Sequence, residues 1–270
     1  MECFHLIWDN YYSIELNESY LEPFKKLRVL ELYGINRLDE KRLAFSTQLK
    51  ELHLVRVAMK KEQNIFQSLT NLEILELNEV NNLEFFNKEM LENLRELSLR
   101  LTYPKLRWRE EIRDNETSND LCKCILSNLS KLNYLNLSDC RLTHIDKLML
   151  SNLKQLSYLD LSQNQISCIA DDAFDGLINL EEINLTGNIF KKININRLFL
   201  RQDKLKVISL DHGIKLLDLM DTQFNFKSLS SLNIGQVTEN SNYSKNYLLK
   251  YFQSKNAEKS KQTISNDPSL

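Results

Sequence analysis

Leu132-Asn133-Tyr134-Leu135-Asn136-Leu137, Leu156-Ser157-Tyr158-Leu159-Asp160-Leu161 and Leu180-Glu181-Glu182-Ile183-Asn184-Leu185 are three copies of one phrase, Leu-x-x-Leu/Ile-x-Leu, set at a constant interval. Further copies begin at Leu27, Leu49, Leu72, Leu94, Leu205 and Leu229. From Leu27 onward the starts keep nearly the same interval, with one longer step between Leu94 and Leu132. Self-similarity at this period marks a solenoid, in which each unit buries its apolar face only against its neighbours. The expected fold is therefore an α/β-type solenoid of about ten repeats, with a parallel β-sheet on the concave side and an irregular or short-helical convex side.

Within each phrase alternate residues point opposite ways, as in a short strand. Counting from the first leucine, offsets 0, +3 and +5 face inward, and +1, +2, +4, +6 and +7 face out. At +8 the middle units carry Cys140, Asn164 and Asn188. A turn there strands backbone N–H and C=O groups inside the stack, and a buried Asn amide can satisfy both kinds. Cys fills the same slot as a small apolar residue with a weak donor. Upstream, apolar residues recur at −6 and −3 (Phe66/Leu69, Leu126/Leu129, Leu150/Leu153, Phe174/Leu177) and should pack the convex wall.

These residues resemble the leucine-rich repeat family, whose consensus is L-x-x-L-x-L-x-x-N/C-x-L. Ala173-Phe174-Asp175-Gly176-Leu177-Ile178-Asn179-Leu180 is similar to the convex phrase of its typical 24-residue class, common in animal extracellular proteins. The resemblance implies a curved horseshoe. The chain departs from the family at +8 elsewhere, where Ile35, Val57, Val80, Thr102, Gly213 and Val237 stand, so the ladder should be confined to the middle units.

The solenoid is expected over residues 1–238, with a partial first repeat at 3–26. There Cys3-x-x-Leu6-x-Trp8-x-x-Tyr11-x-x-Ile14 fits the template, with Cys3 matching Leu27. The repeat thus runs from the start of the chain, which reads as a fragment whose cap and any signal lie upstream; the alternative is that Phe4, Trp8 and Tyr11 form a noncanonical, self-sufficient first turn. About 14 extra residues interrupt the stack at roughly 103–122. Residues 239–270 are polar and read as a disordered tail, with a possible cap over 245–253 around Tyr247-Leu248-Leu249-Lys250-Tyr251-Phe252.

Net charge is −2, with both signs interspersed. That gives no case for nucleic acid or an anionic membrane surface, and no apolar run reaches the length of a membrane span. The five glycines form no phosphate-cradling cluster, so a P-loop or Rossmann turn is excluded. The four histidines are scattered, and Cys122-x-Cys124 alone is not a zinc site. No nucleophile turn is present. The chain is read as non-enzymatic, without metal or cofactor.

What remains is surface. Outward columns place Glu31, His53, Glu76, Asn136 and Asp160 at +4, and Tyr134 beside Tyr158 at +2. Tyrosine suits a binding hot spot, combining large area with a polar tip; the same pair could equally be a cross-strand support. His53 and Glu76, in adjacent rows, are a possible pH-sensitive pair or an ordinary solvated contact. The insertion offers Tyr103, Arg107, Trp108 and Arg109, an aromatic and basic loop on a rigid scaffold or a tolerated surface loop. Of six Asn-x-Ser/Thr sequons, Asn17, Asn115 and Asn242 are the plausible glycosylation acceptors.

These readings combine into a module that presents its concave face to a protein ligand. The resemblance implies a secreted or receptor-ectodomain protein in innate immunity, adhesion or signalling, hence an extracellular or cell-surface location. The alternative is a cytoplasmic scaffold or substrate adaptor, which the five cysteines without a cysteine-rich cap would suit.

Overall fold

The computed structural model describes residues 3–7, 26–35, 47–58, 66–80, 92–100, 129–211, 214–216 and 231–234, together with Leu38, Leu43 and Leu126. Its strands are β1 (Cys3–Ile7), β2 (Val29–Tyr33), β3 (Glu51–Val55), β4 (Ile74–Asn78), β5 (Glu96–Arg100), β6 (Tyr134–Asn136), β7 (His144–Ile145), β8 (Tyr158–Asp160), β9 (Cys168–Ile169), β10 (Glu182–Asn184), β11 (Lys192–Ile193), β12 (Val207–Leu210), β13 (Lys215–Leu216) and β14 (Ser231–Ile234). Ten of them form one sheet in the order β1-β2-β3-β4-β5-β6-β8-β10-β12-β14. Every pairing between consecutive units is parallel and joins equal offsets of the leucine phrase from β2 to β14. The insertion does not disturb this register: Glu96 pairs Tyr134 and Ser98 pairs Asn136 across it.

The first unit is the exception. Cys3 pairs Val29 and His5 pairs Glu31, so Phe4 and Leu6 take the register of Leu30 and Leu32. The expected alignment of Cys3 with Leu27 is two residues out: His5 stands in the +4 column, and Ile7 pairs Tyr33 instead of Glu31. Alternating apolar residues at 4, 6 and 8 satisfy either alignment, and a two-residue slip preserves the alternation of faces.

One continuous core runs down the stack. From Leu27 to Leu210 the described leucines at 0, +3 and +5 are almost fully buried, and so are Phe66, Leu69, Leu126, Leu129, Leu150, Leu153, Phe174 and Leu177 on the outer wall. Phe174 stacks on Phe199 of the next turn at 5.3 Å between centroids. Gln202 takes a −3 slot that other turns fill with leucine, and it is buried because its Nε2 donates to the Phe174 carbonyl at 2.7 Å. Among the described residues the single-turn helices α1 (Lys147–Leu150) and α2 (Ile195–Leu198) lie on the outer side, capped by Asp146 and Asn194. Gly176 is where two turns meet closely: a Cβ there would fall 2.6 Å from the Ser151 carbonyl oxygen.

The turn leaving each strand has a recurring backbone. The residue at +7 has a left-handed φ in Gly34, Arg56, Glu79, Asp139, Gln163 and Gly187. The ladder then closes the middle turns. Asn164 Oδ1 accepts from Cys140 N–H (2.9 Å) and Leu142 N–H (3.0 Å), and its Nδ2 donates to the carbonyls of Leu137, Leu161 and Ser162. Asn188 repeats the pattern on Ile166 N–H and on the carbonyls of Leu161 and Leu185. Cys140 donates its S–H to the Leu99 carbonyl. In the first units Ile35, Val57 and Val80 fill the slot as apolar core, and backbone bonds such as Ala58 N–H to Ile35 O (2.8 Å) tie the turns together. Beyond Asn188 the ladder continues through Asp211, at +6, whose Oδ2 accepts from Gly187 N–H at 2.6 Å and Asn188 N–H at 3.3 Å.

Offset +6 does not always face out. Ser138 and Ser162 are buried because the side chain at +4 folds the turn over them: Asn136 Oδ1 and Asp160 Oδ1 each accept the serine N–H at 2.8 Å. Asn184 does the same for Thr186. This local side-chain to backbone bond competes with the ladder. It accompanies three-residue strands here, against five-residue strands where +4 is Glu31, His53, Glu76 or Ser98.

Candidate functional site

The sheet brings the outward columns together as two neighbouring patches. In the second half, Tyr134 and Tyr158 occupy directly paired positions on β6 and β8. Their rings stack at 4.6 Å with 2° between planes, which is the strand spacing itself, so the sheet holds them in register. The Tyr158 hydroxyl lies 3.5 Å from Asp160 Oδ2. Partial burial, then the nearby Asp160 carboxylate, push the Tyr158 phenol up to about 12, and the same two causes raise Tyr134. Both hydroxyls therefore stay protonated donors at physiological pH. The rings remain partly exposed and rigid, so little side-chain entropy is lost when a partner covers them.

Asn136 and Asp160 flank the pair, each with one oxygen committed to its turn. Asp160 Oδ2 also accepts from Asn184 Nδ2 at 3.3 Å. These two side chains therefore frame the tyrosines as well as facing outward. The framing role has a sequence signal, Asn/Asp two residues before Ser/Thr, that an outward-column reading overlooks.

In the first half, His53 Nδ1 lies 2.8 Å from Glu76 Oε2. The hydrogen bond to Glu76 is the main cause of a raised His53 pKa; partial burial opposes it, and the charges of Glu76, Glu31 and Glu51 add to it. Glu76 is held below the usual carboxylate range chiefly by the same bond. Asn78 Nδ2 supports Glu76 Oε1 at 2.6 Å. The Glu31 side chain sits on β2 opposite His53, so the three nominated residues of this half do form one acidic row.

Tyr103, Arg107, Trp108, Arg109, the acceptors Asn17, Asn115 and Asn242, and residues 239–270 lie outside the described residues. Among the described residues no three His, Cys, Asp or Glu side chains are grouped to hold a metal ion, and no helix is long and apolar enough to cross a membrane. Cys140 is a buried thiol and Cys168 an exposed one, neither of them in a disulfide.

Residues 130–190 match the sequence profile described as Leucine rich repeat. No curated protein sequence matches the chain. Among solved structures, the fold is similar to a TLR13–ssRNA13 complex (TM-score 0.61, 24% identity, 81% of this chain and 30% of that one). It is also similar to an internalin, InlF, from Listeria monocytogenes (TM-score 0.53, 20% identity, 81% and 58%). A third likeness is to the Toll–Spatzle complex of Drosophila (TM-score 0.54, 17% identity, 83% and 33%). The chain spans 30 to 58% of the length of these structures.

Proposed function

The chain belongs to the leucine-rich repeat superfamily, and from that premise we propose that it is a non-enzymatic recognition module whose strand face binds a protein ligand. The observation that carries this reading is the Tyr134–Tyr158 stack. Two aromatic rings, immobilised by the sheet and half open to solvent, give apolar area with two hydroxyl donors beside a carboxylate. That is the composition of a protein-binding hot spot. The acidic row Glu31, Glu76 with His53 extends the surface and disfavours polyanions, so single-stranded nucleic acid, present in the TLR13 complex, is not the expected ligand here.

A photo-crosslinking amino acid at Glu182, paired with Tyr158 in the sheet, tests this. It is compared with the same group at Leu148, exposed on the outer side. Protein adducts from position 182 and none from 148 are the expected outcome; adducts from 148 alone would move the site off the strand face.

For location, the proposal is an extracellular or cell-surface protein, in keeping with the receptor and surface-protein likenesses. The exposed thiol of Cys168 favours the second reading, a cytoplasmic adaptor. Expression through the secretory pathway, followed by N-glycosidase digestion, separates them. A glycan-dependent mass shift on a stably folded chain supports the first, and aggregation there with soluble cytosolic product supports the second.

A further inference from the structure

The outer side of the solenoid contains a break in its hydrogen bonding. β7 pairs β9 (His144 with Cys168, Ile145 with Ile169), and β11 pairs β13 (Lys192 with Lys215, Ile193 with Leu216). Lys192 follows Cys168 at the same interval by which Cys168 follows His144, so the repeat seats β11 beside β9. The two strands nevertheless belong to separate two-stranded sheets. Before the gap, Ile189 N–H still reaches Ile166 O at 3.1 Å. Among the described residues no backbone bond then joins residues 167–170 to 191–193. The break coincides with Phe190, a bulkier side chain in the buried slot filled by Leu142 and Ile166 in the two preceding turns.

A groove of about 690 Å³ is lined by residues of both edges, within the usual size of a ligand cleft. Phe190 and Ile193 form its floor, and Ile189 stands at its side 60% exposed. Lys191, Lys192 and Lys215 rim it, all exposed, and none forms an ion pair with a described residue. The acid in the lining, Asp171, is already paired with Arg197 at 3.0 Å. The rim is therefore cationic over an apolar floor, and Cys168 and Ile169 of β9 and Lys192 and Ile193 of β11 line the groove.

We propose that an extended, acidic segment of a partner protein inserts here as a strand between β9 and β11. Its backbone would pair with the two edges, its apolar side chains would cover Ile189 and Phe190, and its carboxylates would meet the three lysines. This site lies on the opposite side from the tyrosine pair and stands independently of the strand-face reading.

The probe is a fluorescent heptapeptide of alternating Glu and Val, tested on the full chain. Its controls are a Lys/Val counterpart and the Glu/Val peptide N-methylated at alternate residues. Cys168 in the groove wall is a built-in reporter, since its alkylation by iodoacetamide can be mapped by mass spectrometry. The Glu/Val peptide should bind saturably and, at about four times its Kd, slow Cys168 alkylation about fivefold. Lys191→Glu with Lys192→Glu should weaken it about tenfold, both controls should fail to bind, and Tyr134→Ala should leave it unchanged. Equal binding of the N-methylated peptide, or binding without protection of Cys168, would overturn strand insertion. So would protection that develops without peptide as the protein is concentrated, which means a second copy fills the groove. Protection only by phosphatidylserine vesicles would assign the groove to lipid.

Discussion

His53 Nδ1 and Glu76 Oε2 lie 2.8 Å apart on adjacent strands, at equal offsets in consecutive repeats. The sheet fixes this contact because the strand spacing brings the two side chains level. It makes the strand face sensitive to pH in a predictable direction. Glu76 has a lowered pKa, so its contribution is present above the ordinary value of 4.5 and is lost as pH falls through the lowered one. His53 has a raised pKa, so its contribution is full below 6.5 and is lost as pH rises through the raised one. The pair is strongest between those ordinary values. His53→Gln should lower the melting temperature more at about pH 5.5 than at about pH 8.5, by an amount in keeping with a partly exposed pair of roughly 0.5–1 kcal/mol. An NMR titration of the His53 imidazole should give a midpoint above 6.5; one at or below that value would show that the bond is absent in solution.

Asn164 sits in the buried slot with five hydrogen bonds to two turns. Asn164→Ala leaves those donors and acceptors without partners and should cost about 2–4 kcal/mol in denaturant unfolding. Asp211→Ala removes a partly buried acceptor from Gly187 and Asn188 at the end of the ladder and should cost less, about 1 kcal/mol. Equal losses at the two positions would contradict a ladder whose strength lies in its buried middle.

Gln163 and Gly187 share the left-handed seat at +7 in consecutive turns, with φ of 56° and 71°. Gln163→Gly should stabilise by about 1 kcal/mol, since glycine adopts this conformation without strain. Gly187→Ala should destabilise, both through its φ and because the new Cβ would fall 2.5 Å from the Gln163 side chain. That second part vanishes once Gln163 is glycine, so the double variant should be more stable than the sum of the singles. A double-mutant cycle by calorimetry checks this, and strict additivity would show that the two seats do not touch.

The period-2 leucines made the sheet, its parallel order and its outward columns readable from residues alone, because a side chain buried at 0, +3 and +5 leaves little choice of face. Cys3 to Ile7 misled because Phe4, Leu6 and Trp8 alternate and suit two registers equally. Asn164 and Asn188 announced the ladder, whereas Asp211 was hidden by standing at +6 rather than +8. The left-handed turn was visible in Gly34 and Gly187 and faintly in Asp139, since Asp tolerates that region; Arg56, Glu79 and Gln163 carry no such signal. The tyrosine stack followed from the columns; the Asx turns of Asn136 and Asp160 had a signal too, Asn/Asp two residues before Ser/Thr, but one that facing in or out does not register. The split between β9 and β11 was not legible either, since the spacing from Cys168 to Lys192 is that of an unbroken ladder.

Binding of a protein to the Tyr134–Tyr158 face is read out by affinity. The partner captured from position 182 is titrated by calorimetry against the wild-type chain and the Tyr134→Ala/Tyr158→Ala double variant, with circular dichroism confirming that both are folded. Kd should rise at least about 30-fold, as for the loss of about 2 kcal/mol or more at a hot spot. An unchanged Kd on a folded double variant would contradict it.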